Sequence, residues 1–88
     1  MLRLRIDLLG RPDCHLCDEA LKVLEELAEE FPIHVRKLDI SKDLELLMRF
    51  RDHIPVGLAN GRELFRHHAR PDHLRPILAG WVEKERLD

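Results

Sequence analysis

Cys14 and Cys17 are the two cysteines of the chain, and they stand as Cys-x-x-Cys within Arg11-Pro12-Asp13-Cys14-His15-Leu16-Cys17-Asp18-Glu19-Ala20. Two thiols at this spacing can exchange with a disulfide or supply a pair of metal ligands. Exchange needs a thiolate, and an unperturbed cysteine with a pKa of about 8.5 is mostly protonated at neutral pH. At the start of a helix, free backbone N–H groups and the positive end of the helix dipole favour the anion. Cys14, the more N-terminal of the pair, lies nearer those donors and is expected to be the more exposed, so it is assigned as nucleophile. Cys17, almost one helical turn on, is placed to attack a mixed disulfide at Cys14 and release the partner. The neighbouring charges compete. Arg11 stabilises a thiolate, whereas Asp13, Asp18 and Glu19 oppose it, and His15 helps only when protonated. The expected outcome is a thiolate-favouring site of moderate acidity.

The metal alternative draws on the same cysteines together with His67 and His68. A four-ligand zinc site usually has a second compact ligand pair, and adjacent histidines in an extended or turning segment tend to point apart. No metal is therefore expected.

The remaining chain must hold the dithiol in place. Leu2, Leu4, Ile6 and Leu8 alternate with Arg3, Arg5 and Asp7, the period of a half-buried strand, which Gly10 and Pro12 end. Asp13 is the expected N-cap of a helix, with Asp18 and Glu19 near its positive end. Leu16, Ala20, Val23, Leu24, Leu27 and Phe31 recur at three- and four-residue steps, with Lys22, Glu25, Glu26, Glu29 and Glu30 pointing away; Pro32 stops the helix near Glu30. Ile33, Val35 and Leu38 mark a second strand, with His34 and Arg36 on its other face. Ser41 is expected to open a shorter helix to about Arg51, with Leu44, Leu47 and Met48 on one side. Ile54-Pro55-Val56 begins a third strand, Asn60-Gly61 signals a tight hairpin, and Glu63 to Arg66 returns as the fourth. Pro71 starts a final helix whose face is Leu74, Ile77, Leu78, Trp81 and Val82, and the charged tail from Glu83 to Asp88 is expected to fray. Trp81, Met48 and Phe65 read as core. His34 and His53 stand as single histidines with no constellation around them.

The order β-α-β-α-β-β-α makes an α/β protein. The helical crossover implies a right-handed parallel βαβ unit, and the short turn makes strands three and four antiparallel. One mixed four-stranded sheet with helices on both faces follows. At 88 residues the chain is the size of a single domain, and 44% hydrophobic against 36% charged allows one modest, mainly aliphatic core. A net charge of −2 provides no field for nucleic acid or an anionic membrane. No apolar run approaches the roughly 20 residues of a spanning helix. The alternating N-terminus is unlike a signal peptide, so the cytoplasm is the expected compartment, and a monomer the expected state.

These features together resemble the thioredoxin fold in its short glutaredoxin form, and more closely the small glutaredoxin-like proteins, which carry Pro-x-Cys-His-Leu-Cys before an acidic helix. The resemblance runs from Leu2 to about Leu78. Its most specific pieces are Cys14-His15-Leu16-Cys17-Asp18-Glu19-Ala20 and Gly61-Arg62-Glu63-Leu64-Phe65. It implies a thiol–disulfide oxidoreductase with no bound cofactor, acting on protein or glutathione mixed disulfides. Electrons would come from glutathione or a thioredoxin-reductase-type donor. It also implies that Arg11 supports the thiolate, and that Pro55 is cis and lies against the dithiol. The backbone of Ile54 would then pair with the substrate chain. Glutaredoxins that use glutathione commonly show Gly-Gly and an acid before the last helix; here the stretch is Arg66-His67-His68-Ala69-Arg70-Pro71-Asp72. Arg62, Arg66, His67, His68, Arg70, His73 and Arg75 crowd this region. Arg66 and Arg70 could form a cationic rim for carboxylates of glutathione or an acidic partner, or this could be an ordinary solvated surface. The remaining alternatives are a cluster shared between subunits, and a thioredoxin-fold module that docks proteins through its proline groove without turnover.

Overall fold

The alternating N-terminal stretch forms strand β1 (Leu4–Gly10), with Leu4, Ile6 and Leu8 buried on one face. The chain continues as α1 (His15–Glu30), β2 (Ile33–Asp39), α2 (Leu44–Phe50), β3 (Val56–Ala59), β4 (Arg62–Arg66) and α3 (Pro71–Leu87). This computed structural model describes residues 3–87, with 84–87 described by backbone alone, so the expectations for Leu2 and Asp88 lie outside the described residues.

The sheet order is β2-β1-β3-β4. β1 and β2 run parallel from Leu4 opposite Ile33 to Gly10 opposite Asp39, as a helical crossover requires. β3 lies antiparallel to β1, with Val56 opposite Leu9, and β4 antiparallel to β3. Asn60 (φ 51°) and Gly61 (φ 78°) close that hairpin. Both sit in the left-handed region that a two-residue turn matched to strand twist demands. Leu64 is an extra residue in β4, because Leu58 faces Glu63 while Gly57 faces Phe65. The bulge lets neighbouring Leu64 and Phe65 both enter one core.

That core lies on the α1 and α3 side, where Leu4, Ile6 and Leu8 meet Leu24, Leu27, Leu74 and Leu78. A smaller cluster of Leu9, Ile40, Phe50 and Val56 sits on the opposite face under α2. Leu38 joins this second cluster, the face away from Ile33 and Val35, because strand side chains alternate.

Two expectations are corrected. Ser41 lies in a separate 3-10 turn, Ile40–Lys42, where the Asp39 carboxylate accepts its N–H at 2.9 Å. The helix proper begins after Asp43, whose carboxylate accepts the Leu46 N–H at 3.2 Å and thereby fixes Asp43 as N-cap. Second, Met48 is 71% exposed and Leu44 72%, so neither is core. The stripe of Leu46, Leu47 and Phe50 faces the sheet instead, and the large ring of Phe50 decides the phase of a helix too short for periodicity to do so. The backbone of α3 continues as far as Leu87, in keeping with the helix propensities of Glu, Lys, Arg and Leu.

Candidate active site

The dithiol occupies the junction of β1 and α1, but the helix begins one residue later than the expected Asp13 cap. Cys14 itself is the N-cap, with φ −107° and ψ 106°, and its Sγ accepts the backbone N–H of Cys17 at 3.2 Å. Asp13 lies outside, in the left-handed region at φ 59°, a conformation that aspartate tolerates. A sulfur thus takes the place where a helix offers its unpaired N–H groups. Cys14 is half-buried and Cys17 is 7% exposed. Their sulfurs are joined as a disulfide, with the Cα atoms 5.2 Å apart.

Cys17 is seated against Gly10. A Cβ at Gly10 would stand 2.9 Å from the Cys17 sulfur and 3.2 Å from its Cβ. The glycine that ends β1 is therefore also the floor beneath the inner cysteine.

The second wall comes from the start of β3. The Ile54–Pro55 peptide bond is cis, as the resemblance implied, and Pro55 is fully buried. Because Val56 faces Leu9, continuing the register sets Pro55 beside Gly10 and hence beside the dithiol. The Pro55 carbonyl accepts the N–H of His67 at 2.7 Å, which draws the β4–α3 connection to the same spot. His67 has φ 68°. Its ring meets that of His53 edge to face, with centroids 6.2 Å apart. The side chain of Ile54 turns into the α2-side core. Among the described residues its N–H and C=O make no backbone hydrogen bond.

The charged residues are placed less centrally. His15 is exposed on the first turn of α1, its Nε2 3.4 Å from Glu19. Arg11 lines a pocket of about 270 Å³ with Cys17, Asp18, Lys37 and Asp39. The Asp39 carboxyl is held below its ordinary value by hydrogen bonds from the Ser41 hydroxyl and N–H, with smaller help from the charges of Lys42 and Arg11. Arg66 is exposed and grips Glu63 through two hydrogen bonds of 2.9 and 2.6 Å, which lower the Glu63 pKa and raise that of Arg66. Arg70 is exposed, and its carbonyl accepts the N–H groups of His73 and Leu74 in the first turn of α3. Arg75 is bonded to Glu30, the last residue of α1, and Arg62 lies over the Trp81 ring at 5.9 Å. Among the described residues no group of three or more His, Cys, Asp or Glu is arranged to hold a metal ion.

Cys14, Cys17 and Pro55 are thus brought to one place, while Arg66 is engaged by its own strand's carboxylate. Gly10 and His53 belong to the same neighbourhood although their spacing gave no sign of it, and His67, weighed in the sequence as a metal ligand, joins them. Gly10 read only as a strand breaker. The approach of His53 to His67 depends on the pairing of Val56 with Arg66, a tertiary fact.

The chain matches the model of the glutaredoxin-like domain (DUF836) over residues 5–86. It is 28% identical over 93 aligned positions to the glutaredoxin-like protein YDR286C homolog of Dictyostelium discoideum, covering 94% of this chain and 86% of that protein. Among solved structures, protein Ne2328 from Nitrosomonas europaea superposes with a TM-score of 0.78 at 24% identity, covering 89% of this chain and 94% of that one. The protein XcR50 from X. campestris gives a TM-score of 0.73 at 29% identity, with 85% and 96% covered. A point-mutant thioredoxin from Halobacterium salinarum gives 0.65 at 20% identity, with 90% and 74% covered. The fold is therefore thioredoxin-like, and the chain belongs to the glutaredoxin-like domain family.

Proposed function

We propose that the chain is a thiol–disulfide oxidoreductase that reduces protein or glutathione mixed disulfides through Cys14 and Cys17. The observation that carries this reading is the asymmetry of the pair. The half-buried Cys14 sulfur occupies the helix N-cap and accepts the Cys17 N–H at 3.2 Å, while Cys17 is enclosed against Gly10. The N–H aimed at the Cys14 sulfur favours its anion, and enclosure keeps Cys17 from meeting a substrate first.

In the exchange, the Cys14 thiolate attacks one sulfur of the substrate disulfide, and the other leaves as a thiolate that takes up a proton. Cys17, deprotonated in turn, attacks the Cys14 sulfur and expels the second substrate thiol. Two electrons have then passed from the dithiol to the substrate, and the protein holds the Cys14–Cys17 disulfide. Glutathione or a reductase-type donor would return them, with no bound cofactor. Ile54, whose backbone N–H and C=O lack backbone partners among the described residues, and Pro55 would position the substrate chain. No described helix is long and apolar enough to cross a membrane; we place the protein in the cytoplasm as a monomer.

The test is reduction of insulin and of a glutathione mixed disulfide by wild type, Cys14→Ser and Cys17→Ser. Loss of Cys14 is expected to abolish both activities, and loss of Cys17 to spare only the monothiol route. A reduction potential between about −270 and −180 mV fits an exchange enzyme. Full activity of Cys14→Ser would contradict the assignment.

A further inference from the structure

A groove of about 380 Å³ leads away from the dithiol between α1 and the β4–α3 connection. Its floor is Leu16, Ala20 and Val23, one stripe of α1 at i, i+4 and i+7, and its opposite wall is His67, His68 and Ala69. Neither cysteine lines the groove, but two of its residues tie one end to the neighbourhood of the dithiol. Leu16 lies two residues past Cys14 in the first turn of α1, and the His67 N–H is bonded to the Pro55 carbonyl. Leu16 and Val23 remain half-buried, so this floor offers apolar surface that the fold leaves uncovered.

The rim is charged, and its sign is set by α1. Glu19 and Glu26 stand on the groove beside Lys22. Apart from Glu30, which Arg75 compensates, the helix carries Asp18, Glu19, Glu25, Glu26 and Glu29 against Lys22. Of the downstream arginines, Arg66 is engaged by Glu63, Arg75 by Glu30 and Arg62 over Trp81, which leaves exposed Arg70, next to Ala69, to offset part of this charge. An apolar trough with an acidic rim complements an aliphatic side chain next to a cation. It opposes glutathione, whose two carboxylates would enter a negative field.

We infer that this groove selects the substrate, and that it takes a polypeptide disulfide bearing a bulky aliphatic side chain and a lysine or arginine close in sequence to its cysteine. The inference rests on the exchange chemistry proposed above and adds to it the class of disulfide served.

The test uses the pre-reduced full chain in single turnovers, so that no electron donor is needed, quenched with acid and resolved by mass spectrometry. The substrates are four disulfide-linked peptides, with leucine or alanine and lysine or glutamate beside the cysteine. Oxidised glutathione and the small neutral bis(2-hydroxyethyl) disulfide complete the set. Each rate constant is divided by that for the neutral disulfide with the same variant. The leucine–lysine peptide is expected to react about tenfold faster than the alanine–glutamate peptide. The advantage of lysine is expected to shrink as ionic strength rises. In the Glu19→Lys/Glu26→Lys double variant the preference for lysine should pass to glutamate. Equal normalised rates for all four peptides, or oxidised glutathione as the fastest substrate, would overturn the inference and leave the exchange chemistry standing. Failure to reduce even the neutral disulfide would remove both.

Discussion

At Cys14 the sulfur receives the Cys17 N–H at the end of a helix, whereas Cys17 presses its sulfur into the space left by the missing side chain of Gly10. That contact gives a prediction for Gly10→Ala. A methyl group 2.9 Å from a sulfur held in a disulfide forces something to move, and overpacking of this kind costs about 1–3 kcal/mol. Urea unfolding of the oxidised variant should show the loss, and an unchanged midpoint would mean that Cys17 is not seated there. The two cysteines were legible because their spacing is a chemical pattern in its own right. The cap was not, because Asp13 is the better capping residue by type and only the backbone reveals that the helix starts one residue later. Gly10 escaped for a similar reason: a glycine that ends a strand and a glycine that makes room for a sulfur look alike in one dimension.

The elements follow from hydrophobic period wherever the period is long enough to be read. Ala20, Leu24 and Leu27 of α1 and Leu74 and Leu78 of α3 point inward as expected, and the Asn60-Gly61 turn fixed the β3–β4 hairpin by its backbone demands. α2 shows where this fails, since seven residues allow two apolar stripes and the sequence does not choose between Leu44 with Met48 and Leu46 with Phe50. The structure chooses the second. Accordingly Met48→Lys should change stability by no more than about 0.5 kcal/mol, while Phe50→Ala should cost about 3–5 kcal/mol, both read from denaturant unfolding. Asp43→Ala removes the carboxylate that accepts the Leu46 N–H and should cost about 1 kcal/mol by the same measurement. Equal losses for Met48 and Phe50 would restore the other helix phase.

Across the whole molecule, exposed ion pairs link elements far apart in sequence, and Glu30 with Arg75 ties the end of α1 to α3. The hydrogen bond from Arg75 holds the Glu30 carboxyl below its ordinary value of 4.5, and Glu63 is lowered likewise by Arg66. A carboxylate with a depressed folded pKa adds stability above its unfolded value, and that stability is lost as pH falls through the folded one. Glu30→Gln should therefore melt at a lower temperature than wild type at neutral pH, with the two curves converging as the pH falls below the ordinary carboxyl value of 4.5. Solvent screening keeps the difference small. The topology was legible because a helical crossover and a tight turn leave few ways to order four strands, whereas the partners of Arg66 and Arg75 depended on contacts that only the folded chain makes. Exchange chemistry in this fold depends above all on Cys14 being an accessible thiolate. Alkylation of the reduced protein with iodoacetamide across a pH series, with the modified residue located by mass spectrometry, measures that property. Labelling at Cys14 with a midpoint below the free-thiol value of about 8.5 is expected; first labelling at Cys17, or a midpoint at or above that of a free thiol, would contradict it.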